Sequence, residues 1–207
     1  MYFSQYVING VVTSDPESII KMVYHALKGS REAYEAHNGN RPSPFAVKLD
    51  DGKHYVSTWG NPEELLALRA KKYNLQPYIT VSFASLYKLA PKGDVVTVKH
   101  ISPTAFRSYG RTIPGFVKDL YFIRPARVLA EAGIKLEPKW GKILVSTKPR
   151  LWKVCGNVIH GFSGEITFYG INDDLKLLLA VAEFTGLGYK TGWGMGGVKV
   201  VPMKGCA

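Results

Sequence analysis

Apolar and polar positions along the chain switch between a period of two and a period near 3.6, and these switches set the order of elements. Tyr6 to Val12 (YVINGVV) reads as a short strand interrupted at Gly10. Ser14-Asp15-Pro16-Glu17 supplies a capping residue and an early proline, so a helix follows to about Lys28. Within it Ile20, Val23, Tyr24 and Leu27 hold the i, i+3, i+4, i+7 spacing of a buried stripe, and Gly29 ends it. Arg31 to Pro44 becomes rich in Asn, Gly and Pro and is mostly loop. Two β-rich runs around Asp51-Gly52 predict a tight hairpin. Pro62 to Tyr73 (PEELLALRAKKY) places acids first and bases last, in accord with a helix dipole, and Tyr78 to Leu89 (YITVSFASLYKL) reads as a strand.

That order, β-α-β-β-α-β, is the ferredoxin-like unit. After the connector Ala90-Pro91-Lys92-Gly93 it recurs more loosely. A strand at Val95 to Ser102 leads into a Gly/Pro-rich excursion (YGRTIPG) and a helix near Leu120 to Ala132. A hairpin-like region from Ile143 to Tyr169, a helix from Asp173 to Thr185 and a last strand at Val198 to Val201 complete the series. The expected fold is α+β: tandem ferredoxin-like (RRM-like) domains over residues 1–90 and 94–207, the second carrying a C-terminal glycine-rich loop.

Composition narrows the class. A chain of 207 residues, 46% hydrophobic, is long enough for one large domain or two small ones and argues against disorder. No apolar run approaches the roughly 18 to 20 residues that span a bilayer, and MYFSQYVING lacks the pattern of a secretion signal, so the expectation is a cytoplasmic protein without membrane contact. Cys155 and Cys206 lie too far apart for a disulfide framework or a paired-cysteine zinc site. Asp50-Asp51 and Asp173-Asp174 fit a hairpin turn and a helix start, no short-spaced ligand cluster is present, and neither metal nor cofactor is expected.

Charge points to a polyanion. The net charge is +11, and Pro138 to Gly164 holds Lys139, Lys142, Lys148, Arg150 and Lys153 without one Asp or Glu. If that stretch forms two strands, alternation places some of these cations on one face of a sheet. The glycine-dense run GLGYKTGWGMGG (Gly186 to Gly197) follows a helix. Phosphate-binding P-loops and dinucleotide fingerprints precede one, so both are excluded by context. Such density lets the backbone approach another molecule closely and expose amide donors.

Three segments carry a resemblance. FTGLGYKTGWGMGGVKV (Phe184 to Val200) after an apolar helix, HISPTAFRS (His100 to Ser108), and VYHALKGSREAYEAHNGNRPSPFAV (Val23 to Val47) stand in family order. They resemble the C-terminal signature, a strand exit, and the first helix with its histidine loop in the RAMP superfamily, specifically the CRISPR repeat RNA-processing endoribonucleases, the Cas-six family.

The resemblance implies metal-independent cleavage of a CRISPR precursor transcript within each repeat. A ribose 2′-hydroxyl attacks the adjacent phosphate and leaves a cyclic phosphate end. The protein has to take up one proton, deliver another and neutralise the phosphorane. Of the five histidines, His25, His37, His54, His100 and His160, the resemblance assigns His37 as general acid or base and leaves His25 as its substitute. Tyr24 matches a helix tyrosine that orients or deprotonates the hydroxyl, while its place on the buried stripe gives core packing as the other reading. Where similar enzymes carry a lysine, this chain has Ser43-Pro44, so Arg41 is the expected cation.

RNA contacts are expected from Arg107, Arg111, Lys148, Arg150 and Lys190 on phosphates, and from Gly186, Gly188, Thr191, Gly192 and Gly194 in the loop. Trp193 and Tyr109 are expected to stack on bases, and core packing is preferred for the other aromatics. The partners expected are CRISPR repeat RNA and other CRISPR effector subunits, with the protein a monomer or a homodimer. Two further readings share the fold: a non-catalytic RAMP subunit that binds guide RNA in an effector complex, and a generic RNA-recognition module, which leaves the glycine-rich end unexplained.

Overall fold

The computed structural model describes residues 1–8, 18, 45–50, 52–60, 75–154 and 156–202. Two antiparallel four-stranded sheets organise them. The first contains β1 (Tyr2–Ile8), β2 (Phe45–Asp50), β3 (Lys53–Trp59) and β4 (Leu75–Ser82) in the order β2-β3-β1-β4. The second contains β5 (Val95–Thr104), β8 (Lys142–Val154), β9 (Asn157–Tyr169) and β10 (Val198–Pro202) in the order β10-β5-β9-β8. In both, the first and third strands are central and flanked by the fourth and second, which is the ferredoxin-like order. The α+β tandem expected from the pattern is therefore present. Of the helix expected at Ser14 to Lys28 only Ser18 is described, and it is helical and exposed; the helix expected at Pro62 to Tyr73 lies outside the described residues.

Short elements fill the connections: α1 (Phe83–Leu89), the hairpin β6 (Phe106–Ser108) and β7 (Arg111–Ile113), then α2 (Lys118–Tyr121) and α3 (Ile123–Glu131). The main helix, α4 (Asp173–Thr185), starts where the sequence says it should. Asn172 caps it, its side-chain oxygen accepting from the Leu175 amide at 3.0 Å, and Asp173 and Asp174 occupy the first turn. Leu175, Leu177, Leu178, Leu179, Val181 and Ala182 are all buried, so α4 is covered on most sides rather than along one stripe. It touches β1, β2 and β3 of the first sheet, β10 of the second, and α1 and α3.

One apolar core therefore serves both sheets, with Phe3 and Trp59 from the first and Val96, Ile166 and Phe168 from the second in the same cluster as α4. Phe3 and Phe184 meet at 5.6 Å between ring centroids. Arg124 adds a polar tie across the junction. Its Nε donates to the Thr185 carbonyl at the end of α4 (2.7 Å), and one terminal nitrogen donates to the Phe45 carbonyl of β2 (3.3 Å). A cation at a helix C-terminus also meets the negative end of the helix dipole.

Three local expectations are corrected. The strand read over Tyr78 to Leu89 stops at Ser82, whose hydroxyl accepts from the Ser85 amide at 3.2 Å and caps α1. Leu86 then enters the core while Tyr87 and Leu89 stay exposed. The first strand starts at Tyr2, earlier than YVINGVV suggested, because Phe3 pairs opposite Trp59 and is fully buried there, while residues 9–12 of that reading lie outside the described residues. The Gly/Pro-rich excursion contains a hairpin, with Tyr109 (φ 47) and Gly110 (φ 78) at its tip. Positive φ at both central residues is what a type I′ turn requires.

Candidate nucleic-acid interface

The two C-terminal segments behind the resemblance interlock. Strand β5 loses its regular register with β9 between His100 and Thr104, and the glycine-rich loop fills the gap. The Ile101 and Ser102 amides donate to the Gly197 carbonyl at 2.9 and 3.3 Å, and the Gly197 amide returns to the Ser102 hydroxyl at 2.8 Å. The Gly196 amide donates to the Pro103 carbonyl (2.9 Å) and the Tyr189 amide to the Ala105 carbonyl (2.8 Å). Side chains would obstruct this approach: a Cβ on Gly196 would overlap the Leu187 carbonyl oxygen, and one on Gly188 the Ala105 carbonyl oxygen.

Beyond the interlock the loop makes a 3₁₀ turn, Thr191–Trp193, which rests against β2 of the first sheet. The far end of the β8–β9 hairpin folds onto the same turn. Trp152 donates its indole N–H to the Trp193 carbonyl at 2.9 Å, and Ala105, Ile159 and Met195 form a small buried cluster against which both tryptophans pack.

On the outer side of the turn, cations and rings alternate. The Arg107 guanidinium carbon lies 5.4 Å from the Tyr189 ring centroid, with a long 3.4 Å hydrogen bond from Nη1 to the Tyr189 hydroxyl. The Lys190 Nζ sits 5.5 Å from the Tyr189 ring and 3.4 Å from that of Trp193. The resulting series Arg107, Tyr189, Lys190, Trp193 offers charge for phosphates and π-faces for bases within one patch. Beyond Arg107 the hairpin tip presents a fully exposed Tyr109 and, one residue past Gly110, an exposed Arg111.

The family model and the solved structures point the same way. The family model of the CRISPR-associated endoribonuclease Cas6 matches residues 15–198. The chain belongs to the Cas6 family. Among solved structures, the fold is similar to a Cas6 protein in a product complex, with a TM-score of 0.72 and 19% identity over 97% of this chain and 100% of that one. A histidine-to-alanine mutant of Cas6 gives a TM-score of 0.68 at 18% identity, covering 97% of this chain and 99% of that one. Thermus thermophilus Cas6 gives a TM-score of 0.64 at 17% identity, covering 97% of each chain. No curated protein matches the chain in sequence.

Within this Cas6 fold, the residues singled out from sequence fall into three groups. His37, Tyr24, Arg41 and His25 lie outside the described residues. Arg107, Lys190 and Trp193 come together in the cation–aromatic series, with Arg111 at the neighbouring hairpin tip. Lys148 and Arg150, together with Lys142, occupy alternate positions of β8 and so share one face of the second sheet, with the Arg150 Nε donating to Ser163 at 3.3 Å.

The glycines are where the sequence expectation needs correcting. Gly186, Gly192 and Gly194 are buried and Gly188 is half-buried. The Gly186 amide donates to Ala182 and the Gly194 amide to Thr191. Thr191 is buried, and its hydroxyl has no hydrogen-bond partner. The amides of Gly186, Leu187, Tyr189 and of every residue from Trp193 to Gly197 are bonded within the protein, so much of the run is not open. Its glycines allow one backbone to lie against another, and the outward chemistry belongs to the side chains between them. Tyr189, not singled out beforehand, is among these, and its position between Gly188 and Lys190 carries the same signal that marked Trp193.

Histidines divide clearly by environment. His100 is buried, with Nδ1 2.6 Å from the Thr104 hydroxyl and Nε2 2.9 Å from the Tyr121 hydroxyl, and burial lowers its pKa to about 3. Its ring therefore stays neutral in the core, where it cannot reach a substrate. His54 is also buried, which lowers its pKa. His160 is exposed on β9.

Charges are also buried at the junction of the sheets, unremarked in the sequence. Burial raises the Glu183 pKa, while its Oε1 accepts from the Val200 amide at 2.8 Å. Lys48 on β2 has its pKa lowered by burial, offset by the nearby Glu183 and Asp50 carboxylates. Lys199 of β10 reaches Asp50 at 3.8 Å. Among the described residues, no group of three His, Cys, Asp or Glu side chains is placed to hold a metal, and no helix is long and apolar enough to cross a membrane.

Proposed function

We propose that this Cas6 chain cleaves precursor CRISPR RNA within its repeats by metal-independent attack of a ribose 2′-hydroxyl on the adjacent phosphate, releasing a 2′,3′-cyclic phosphate. The observation that carries the reading is the series Arg107, Tyr189, Lys190, Trp193, seated on a turn that rests against β2. It gives a Cas6 family protein a surface on which an RNA strand is held by charge and stacking together. The nucleophile is part of the substrate, so the protein supplies proton transfer and charge neutralisation. His37 is the proposed general acid or base, Tyr24 its partner at the 2′-hydroxyl, Arg41 the phosphorane cation, and His25 the substitute. The burial of His54 and His100 supports this choice, since neither ring can meet a scissile phosphate.

In this reading the half over residues 1–90 carries the reacting groups and the half over 94–207 holds the RNA through Arg107, Arg111, Lys148, Arg150, Lys190 and Trp193. The relative in a product complex supports an enzyme that retains its product. One observation favours the second reading, a subunit that binds guide RNA without cutting it: Ser43-Pro44 replaces the lysine of similar enzymes. Incubation of the protein with repeat RNA in excess EDTA separates the two. Cleavage to a fragment ending in a cyclic phosphate supports the ribonuclease, and bound but uncut RNA supports the subunit.

A further inference from the structure

The first sheet carries an aromatic site away from the glycine-rich end. The register of β1 with β4 shifts between Gln5 and Tyr6: Gln5 lies opposite Ile79 and Tyr6 opposite Pro77, which leaves Tyr78 as the extra residue of a bulge. A bulge re-aims the side chain it carries. Here it brings the Tyr78 ring to Tyr55 of β3, with centroids 5.4 Å apart and planes at 68°. Tyr78 remains 62% exposed, and neither it nor Tyr55 belongs to the main core. An edge strand that turns a tyrosine outward gains little core packing from it, so an exposed Tyr78 ring set against a half-buried Tyr55 ring has the form of a contact surface.

Lys48 connects this pair to the glycine-rich end. Its Nζ lies 5.9 Å from the Tyr55 ring centroid, and its Cγ passes so close to Gly197 that a Cβ there would come within 3.1 Å of it. The turn bearing Lys190 and Trp193 rests on β2, the strand that carries Lys48. The half-buried Lys48 thus links the turn to the ring pair, and β1 lies between the two strands that carry the rings.

We propose that Tyr55 and Tyr78 form a second base-stacking platform, which takes an unpaired nucleotide of the RNA strand whose neighbouring segment lies on the Arg107–Trp193 series. This rests on the RNA-binding reading above and extends it to a site on the other half of the protein. Single-stranded RNA fits because stacking on tyrosine tolerates any base, and the net charge of +11 favours a polyanion over a second copy of an equally basic chain.

The test measures binding of a labelled single-stranded oligoribonucleotide carrying thiouridine to the wild type and to Tyr78→Ala, Tyr78→Phe and Trp193→Ala variants, with photocrosslinking and sedimentation of each. The expected result is about tenfold weaker binding for Tyr78→Ala, near wild-type binding for Tyr78→Phe, and a crosslink within β4. If Tyr78→Ala binds as tightly as the wild type while Trp193→Ala does not, the platform is overturned and the RNA reading stands. If neither substitution weakens binding, the RNA reading fails and takes the platform with it. If Tyr78→Ala leaves RNA affinity intact but converts a dimer to a monomer, the face belongs to a second copy and the proposal is overturned.

Discussion

The indole N–H of Trp152 donates to the main-chain carbonyl of Trp193 at 2.9 Å, so the far end of the long β8–β9 hairpin and the turn after α4 form one unit. Trp152→Phe keeps an aromatic ring, though a smaller one, and removes the donor. The expected cost is about 1 kcal/mol, or roughly 2 to 4 °C in melting temperature for a chain of this size, with weaker RNA binding because the turn loses its support. Thermal melts and binding assays on the same preparation check this. Loss of affinity with an unchanged melting temperature would instead make Trp152 a direct RNA contact.

Arg107 and Lys190 are expected to act through phosphate charge as well as through their rings. If about five cations neutralise phosphates of a single strand, the slope of log K against log salt is about −3.5, and each of Arg107→Ala and Lys190→Ala reduces its magnitude by about 0.7. Trp193→Ala lowers affinity without changing the slope, because stacking releases no counterions. Titrations at several salt concentrations separate the two effects. An unchanged slope in both cation variants would remove them from the phosphate track.

Glycine substitutions test whether the dense run is packing or display. Gly196 has φ 69, and a Cβ there would overlap the Leu187 carbonyl oxygen, whereas Gly110 at the hairpin tip has φ 78 and open space around it. Gly110→Ala should cost about 1 to 2 kcal/mol from the backbone conformation alone. Gly196→Ala meets that cost and the overlap together and should lose more than about 3 kcal/mol, read from urea denaturation as the midpoint change multiplied by m. Equal losses would mean that the close approach of Gly196 to Leu187 relaxes easily.

The same residues show what the sequence made legible. Helix α4 was readable end to end because Asn172, Asp173-Asp174 and Gly186 mark its limits locally. The strand order followed from element order, since each ferredoxin-like unit closes in one way. Helix α1 was hidden because its seven residues, FASLYKL, are rich in aromatics, and what fixes the helix is the burial of Leu86, a tertiary event. The β6–β7 hairpin was hidden because Tyr109 stands where asparagine or aspartate usually signals such a turn. The glycine-rich run was legible as unusual but misread as open. Leu187 and Met195 within it are fully buried, and two apolar side chains among six glycines were the available sign that the loop packs inward.

Acid should weaken the fold through His100. Burial depresses its folded pKa to about 3, against about 6.5 in an unfolded chain, so between those values the unfolded state binds a proton that the native state refuses. The contribution is fully present above about pH 6.5 and is lost as pH falls toward 3, at up to about 1.4 kcal/mol per pH unit. Chemical denaturation at about pH 7, 6, 5 and 4 should show the decline in the wild type and a flatter profile in His100→Gln. Parallel profiles would mean that other groups govern acid stability.

Catalysis by His37 predicts a separation between binding and cutting. Single-turnover cleavage of repeat RNA in EDTA should fall by about 10²- to 10⁴-fold in His37→Ala, the range expected for loss of a general acid or base, while RNA affinity stays near wild type because the contacts proposed for it lie on other residues. Tyr24→Phe should fall less if the tyrosine only orients the hydroxyl, and as far as His37→Ala if it takes the proton. His25→Ala should cut at nearly the wild-type rate. Arg41→Lys retains a charge but loses the bidentate fork, so its rate should lie between those of the wild type and Arg41→Ala. A His37→Ala variant that cuts normally beside an inactive His25→Ala variant would transfer the role to His25, and normal cutting by both would place the proton transfer on neither residue.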